Sequence, residues 1–259
     1  MAKTIAVTGK GGVGKTTIAA LIIRYLKQHA AGPVLAIDAD PDSNLGTVLG
    51  VDVPETLGDV RELTLAEIRK LPPGMDKAAY IEAGLHETIV ETEGVDFLAM
   101  GRPEGPGCYC YVNNLLRGIM DKVMRNYEFV VIDSAAGLEH MSRRVIRDID
   151  ALIVVTDASR RGIRTAERIR ELASSLSLNV RRLYLVLNKV RDESRAELER
   201  VASELSLDIL GCVPFDEHIA MLDLLGKPME NMEDGSVAFR QVREMAEKLN
   251  LTGKRSTTA

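Results

Sequence analysis

Seven short runs along the chain, at 4–8, 34–38, 95–100, 128–133, 151–156, 182–188 and 208–213, are rich in Val, Ile or Leu, and several are apolar throughout. A strand with one wet face alternates apolar and polar residues, so unbroken apolar runs of this length predict strands covered on both faces. Stretches of helical periodicity separate them, at 15–30, 111–126, 160–176, 193–205 and 236–249. In the first, Ile18, Leu21, Ile22, Tyr25 and Leu26 recur at helical spacing, and Gly32-Pro33 ends the element. Such alternation predicts an α/β fold: a doubly wound, mostly parallel sheet with helices on both faces and right-handed crossovers. With no internal repeat, low-complexity tract or long linker, residues 1–259 read as one domain.

The segment 51–94 is less regular. Leu57-Gly58-Asp59-Val60 and Leu71-Pro72-Pro73-Gly74 read as turn-containing connections around short helices. Residues 76–91 predict a further helix with Ile81, Leu85, Thr88 and Ile89 on one side. The segment is an insertion between the second and third strands, of the kind that carries specificity or partner contacts, or serves only as surface cover.

Composition narrows the setting. With 46% hydrophobic residues, a 259-residue chain can fill a large core. A net charge of −5, with no basic tract beyond the pairs Arg160-Arg161 and Arg181-Arg182, argues against a nucleic-acid partner. No apolar run approaches the ~20 residues of a membrane span, and Met1-Ala2-Lys3 leads directly into the first strand rather than into a signal peptide. Three cysteines do not make a disulfide framework. A soluble, cytoplasmic protein with no membrane partner is expected.

The candidate chemistry begins where the first strand ends. Gly9-Lys10-Gly11-Gly12-Val13-Gly14-Lys15-Thr16-Thr17 fits the pattern Gly, any four residues, Gly-Lys, then Ser or Thr, between a strand and a helix. Glycines let the backbone wrap phosphate oxygens with its N–H groups inward, and the helix N-terminus adds positive potential. Gly11, Gly12, Val13, Gly14, Lys15, Thr16 and Thr17 are therefore the expected nucleotide-binding residues. Lys15 can reach the β- and γ-phosphates, and the Thr16 hydroxyl can ligate Mg²⁺. A second lysine, Lys10, stands at the start of the loop.

Two strands end in carboxylates at the same sheet edge, in Asp38-Ala39-Asp40-Pro41 and in Asp133-Ser134-Ala135-Ala136-Gly137. Asp133 is assigned to Mg²⁺ and its water shell, and Asp38 to supporting Mg²⁺-bound water. Asp40 is the candidate for orienting or deprotonating the attacking water. Asn188 closes another strand and offers both a donor and an acceptor to the edge of adenine. Pro214 and Asp216, in Val213-Pro214-Phe215-Asp216, can form the other side of the base pocket.

Lys10 through Thr17, with Asp38, Asp40-Pro41, Asp133 and Asn188, resembles the deviant Walker A ATPases over nearly the whole chain. These include the nitrogenase iron protein and the MinD- and ParA-type positioning proteins. The resemblance implies ATP hydrolysis with Lys10, Lys15 and Asp40 as catalytic residues. It also implies a homodimer in which Lys10 reaches the phosphates bound by the opposite copy, so that ATP favours dimerisation and hydrolysis releases it.

Gly105-Pro106-Gly107-Cys108-Tyr109-Cys110-Tyr111 predicts a tight, exposed turn leading into the helix at 111–126. Two thiols one residue apart can face one metal ion, and soft thiolates suit Zn²⁺, Cu(I) or a thiol-rich Ni²⁺ site. Two ligands do not fill a tetrahedral site; a two-fold axis near the loop would complete it with Cys108 and Cys110 of a second copy. Two other readings stand beside this one: buried core thiols, or a strained redox disulfide. Cys212, inside the apolar run 209–213, reads as a core thiol, and His86 and His140 as lone surface or capping residues.

The segment from Gly101 to Cys110, followed by Asn113-Asn114-Leu115-Leu116-Arg117, is similar to the maturation ATPases of nickel carbon monoxide dehydrogenase. That resemblance implies a metallochaperone that binds nickel, with zinc competing, at its dimer interface and helps load carbon monoxide dehydrogenase. A sister group serves acetyl-CoA synthase. Two alternatives belong to other classes. A MinD- or ParA-type positioning switch needs a membrane-targeting tail or a DNA surface, whereas Val237, Val242, Met245, Ala246 and Leu249 read as core packing. An iron–sulfur electron-transfer ATPase of the nitrogenase iron-protein kind uses well-separated cysteines, unlike this adjacent pair.

Overall fold

The computed structural model describes residues 2–67, 77–102, 110–136, 146, 148–157, 159–176, 178–233 and 235–252. All seven predicted strands form: β1 (Lys3–Gly9), β2 (Val34–Ala39), β3 (Asp96–Ala99), β4 (Phe129–Ser134), β5 (Asp148–Asp157), β6 (Asn179–Val190) and β7 (Ile209–Pro214). They make one sheet in the order β3-β2-β4-β1-β5-β6-β7, with every neighbouring pair parallel. β5 and β6 start earlier than their apolar runs, because polar, exposed Asp148 and Asn179 pair in register and are joined by a 2.8 Å side-chain hydrogen bond.

Among the described residues the α-helices are α1 (Lys15–His29), α2 (Asn44–Leu49), α3 (Leu57–Glu67), α4 (Lys77–Thr88), α5 (Cys110–Met124), α6 (Arg160–Ser175), α7 (Asp192–Glu204), α8 (Glu217–Leu224) and α9 (Val237–Lys248). α1 buries the predicted stripe of Ile18, Leu21, Ile22, Tyr25 and Leu26, and Ala19, Ala20 and Ile23 as well. Each large apolar side chain removed from water is worth about 1.5–3 kcal/mol, which makes α1 a rigid support for the loop that precedes it. On α9, Val242, Met245, Ala246 and Leu249 are buried as predicted, but Val237 is 40% exposed. Cys212 is buried, as expected for a core thiol. Among the described residues no helix is long and apolar enough to cross a membrane.

Strand alternation separates two cores. Val34, Ala36, Phe129 and Val131 pack on the side of α1 and α9, whereas Leu35, Ile37, Val130 and Ile132 face the side of α4, α5 and α6. Continuing the alternation, Asp38 and Asp133 fall on the α1 side, and they are register partners on adjacent strands.

The region after β2 holds one correction. Leu57-Gly58-Asp59-Val60 is not a turn but the first turn of α3. Its start is a reciprocal cap: the Asp59 carboxylate accepts from the Thr56 N–H at 2.9 Å and the Thr56 hydroxyl at 2.7 Å, and the Asp59 N–H donates back to Thr56 Oγ1 at 3.3 Å. The helix predicted at 76–91 is α4, which buries Ile81, Leu85 and Thr88, with Ile89 packed beside it. Leu71-Pro72-Pro73-Gly74 lies outside the described residues. Just past β3, the Met100 N–H donates to the Asp38 carbonyl at 2.8 Å, and the Gly58 N–H donates to the Met100 carbonyl at 3.0 Å.

Candidate functional site

The loop between β1 and α1 holds its shape through glycine. Gly14, with φ +91°, is the N-cap of α1 and carries no side-chain cap, so the first N–H groups of the helix stay open to an anion. A Cβ at Gly14 would come within 2.4 Å of Asn188 Nδ2, and one at Gly9, with φ +148°, within 2.1 Å of the Val155 carbonyl. Asn188 explains that closeness: its Nδ2 donates to the Val13 carbonyl at 2.8 Å, and its Oδ1 accepts from the Lys189 N–H at 3.0 Å. The amide that the sequence offered to adenine is thus bound to the loop itself. Val13 buries its side chain in the core beneath.

Two neighbouring cavities, of about 710 and 130 Å³, open at this sheet edge and share Thr17, Lys189 and Asp223. Gly11, Gly12, Gly14, Lys15, Thr16, Thr17 and Asp40 line the larger, while Asn188, Pro214 and Asp216 line the smaller. The larger volume suits a small-molecule ligand, and the smaller cavity mixes apolar residues such as Leu21, Val213 and Phe215 with the polar Asn188 and Asp216. Lys10 is exposed and stands outside the larger cavity's wall.

The three carboxylates differ in state. The Asp38 oxygens accept from the Asp40 N–H at 3.1 Å and the Leu45 N–H at 2.9 Å, so this side chain holds the Asp40 segment against α2. Burial pushes its pKa up to about 6, with those backbone bonds opposing the rise. Asp40 is half-buried in the cavity wall and accepts from the Asp42 N–H at 3.1 Å. Asp133 is fully buried, and neither of its oxygens has a hydrogen-bond partner among the described residues. Burial raises its pKa to about 7; the Thr16 hydroxyl, close but short of hydrogen-bond geometry, and Lys15 oppose the rise, and Asp38 and Asp40 add to it.

An orphaned buried carboxylate beside a hydroxyl is costly alone and suits a hard divalent cation or its bound water. Thr16 and Asp133 therefore fit Mg²⁺. Among the described residues no three His, Cys, Asp or Glu side chains converge as a ready cage. That is ordinary for Mg²⁺, which takes one or two protein oxygens plus waters and phosphates.

Asp216 frames the base-side cavity rather than offering it a free carboxylate. Its Oδ1 accepts from the His218 and Ile219 N–H groups, capping α8, and its Oδ2 accepts from the Ser236 hydroxyl at 2.7 Å and the Ala238 N–H at 3.4 Å, at the start of α9. Against the effect of burial, these bonds hold its carboxyl below the usual carboxylate range. Cys108 lies outside the described residues. Cys110 is the first residue of α5, one position before the predicted start.

Sequence reasoning missed Lys189 and Lys227, both in the larger cavity's wall. Lys189 adopts a left-handed φ of 56°, rare for a residue with a side chain. The available signals were an Asp216 N-cap for an eighth helix and a Gly226-Lys227-Pro228 turn after it.

The profile of the CobQ/CobB/MinD/ParA nucleotide binding domain matches residues 4–229. An uncharacterized ATP-binding protein of Methanocaldococcus jannaschii is 47% identical over 247 residues, 95% of this chain and 97% of that protein. The carbon monoxide dehydrogenase accessory protein CooC of Rhodospirillum rubrum is 32% identical over 240 residues, 86% of this chain and 87% of its own. The septum site-determining protein MinD of Pyrococcus horikoshii, solved with Mg-ADP, superimposes with a TM-score of 0.70 at 25% identity, covering 96% of each chain. With its loop, strand-end carboxylates and cavity at the carboxyl edge of a parallel sheet, this chain belongs to the CobQ/CobB/MinD/ParA nucleotide-binding domain family.

Proposed function

We propose that this protein is an ATP-hydrolysing metallochaperone that carries nickel, or zinc in its place, and assists nickel insertion into carbon monoxide dehydrogenase. The observation that carries this reading is the 32% identity with a carbon monoxide dehydrogenase accessory protein, taken with the Cys-X-Cys pair at Cys108 and Cys110. The phosphate loop and Lys15 bind and neutralise the phosphate chain, and Asp40, its backbone fixed by Asp38, orients the attacking water. Thr16 and Asp133 hold Mg²⁺, which supplies charge neutralisation at the phosphates when bound. Lys10, exposed at the start of the loop, engages the nucleotide of a second copy, and the closed homodimer brings together two Cys108–Cys110 pairs. The cargo metal is then bound by four thiolates, with protons competing at low pH.

Metal content tests this directly, measured with and without ATP in the wild type and in a Cys108→Ser/Cys110→Ser double variant. About one nickel or zinc ion per two chains, lost in the variant, is the expected result. Unchanged metal content in the variant would refute the shared site. A second reading, a positioning switch, is favoured by the fold shared with MinD; ATP-dependent co-sedimentation with liposomes or DNA would support it instead.

A further inference from the structure

The wall of the larger cavity includes Asp223, Gly226, Lys227 and Met229, from the end of α8 and the segment that follows it. Three restraints fix that segment. Arg24, on α1, donates to the carbonyls of Met229 at 2.6 Å, Glu230 at 3.3 Å and Met232 at 2.8 Å. Lys27, nearly one helical turn further along α1, pairs with Glu230 at 2.6 Å. Pro228 packs against Gly50 at the end of α2, where a Cβ would meet it at 3.0 Å.

Lys227 is therefore held between the helix that starts in the phosphate loop and the helix that follows Asp40. Gly226 makes the turn at φ +61°, and the Lys227 N–H donates to the Leu222 carbonyl at 2.9 Å. The side chain is exposed, and among the described residues its ammonium has no ion pair. Asp40, Asp42 and Asp223 line the same cavity, so a polyanion entering it meets carboxylates that the lysines of the wall, Lys15, Lys189 and Lys227, must offset.

We infer that Lys227 is a further lysine of this site, binding the phosphate chain of a nucleoside di- or triphosphate from the segment that follows α8, and that Arg24 is the residue that positions it. A guanidinium spent on three backbone carbonyls fixes a turn in place, and charge-assisted bonds of that kind are the strong ones. The inference rests on the nucleotide-binding reading of the cavity.

Calorimetric titration with Mg-ADP and with adenosine tests it, on the wild type, Lys227→Gln, Lys227→Glu, Lys227→Arg and Arg24→Gln. Lys227→Gln should weaken Mg-ADP binding roughly tenfold, the worth of one charge-assisted contact, and Lys227→Glu more. Lys227→Arg should bind nearly as wild type, and adenosine affinity should not move in any Lys227 variant. Arg24→Gln should weaken Mg-ADP binding to a similar degree and add little in the double variant with Lys227→Gln; additive losses would remove Arg24 from the scheme. The exposed Lys227 positions keep the test valid if Arg24→Gln misfolds. Unchanged Mg-ADP affinity in both Lys227→Gln and Lys227→Glu, or an equal loss for adenosine, overturns the role of Lys227. Absence of Mg-ADP binding in the wild type would overturn the nucleotide reading itself, and the inference with it.

Discussion

At the scale of residues, Asp38 and Asp133 are the instructive pair. Both end apolar strand runs, both fall on the α1 side, and they sit opposite each other in register. Yet one is satisfied by backbone N–H groups and the other by nothing among the described residues. The consequence is a pH dependence with a definite sign. A carboxyl whose folded pKa is raised to about 7 keeps a proton that the unfolded chain, near 3.8, has lost. Its effect on stability therefore worsens as pH rises between those values and stays unfavourable above them. Asp133→Asn should raise the thermal midpoint of the nucleotide-free protein at pH 8, with the gap narrowing as pH falls and closing only toward the unfolded value near 3.8, while ATPase activity is lost. A variant that melts no higher than wild type at pH 8 would contradict this account. The two strand-end carboxylates were legible because a rigid apolar strand ending in Asp is a local pattern. The difference between them was not, since the donors to Asp38 come from the loop fold that follows.

At the scale of elements, legibility tracked length and burial. The seven strands read clearly because both faces are covered, which leaves an apolar run in each. Helices α2 and α8, of six and eight residues, are too short to show an apolar stripe. The start of α3 was hidden by a Leu-Gly-Asp sequence that resembles a turn until the reciprocal bonds of Thr56 and Asp59 are seen. Asn188 was visible as a strand end, but its partner Val13 is 175 residues away in sequence, beyond any local rule. Asp216 ties the starts of α8 and α9 through one carboxylate, and Ser236 in turn caps α9 at the Phe239 N–H. Asp216→Ala should cost about 1 kcal/mol per cap weakened, read as a lower denaturant midpoint at pH 7. Because the folded pKa lies below 3.8, this stabilisation is complete above that value and disappears as pH falls through the lower folded one. A wild-type-to-variant gap that persists in stronger acid would exclude the carboxylate as its source.

At the scale of the whole molecule, Lys10 is the residue whose environment in one chain leaves its purpose unspent: exposed, at the start of the loop, outside the cavity wall. Lys10→Ala should retain Mg-ADP binding but lose ATP-driven dimerisation by sedimentation velocity, and dimers at the wild-type level would sink the cross-subunit role. The hydrogen bond from Met100 to the Asp38 carbonyl has a wider reach than its 2.8 Å suggests. Two residues beyond Met100 comes Arg102, whose carbonyl accepts from Arg61 on α3 at 3.2 Å, and from there the chain runs toward Cys108. β2, which ends beside Asp40, is therefore tied by hydrogen bonds to the Met100–Arg102 segment and, through it, to α3. If ATP tightens the grip on a metal by some factor, thermodynamic reciprocity requires the metal to tighten the grip on ATP by the same factor. A loaded carrier would then be the form that holds its nucleotide longest, and delivery of the metal would itself loosen ATP.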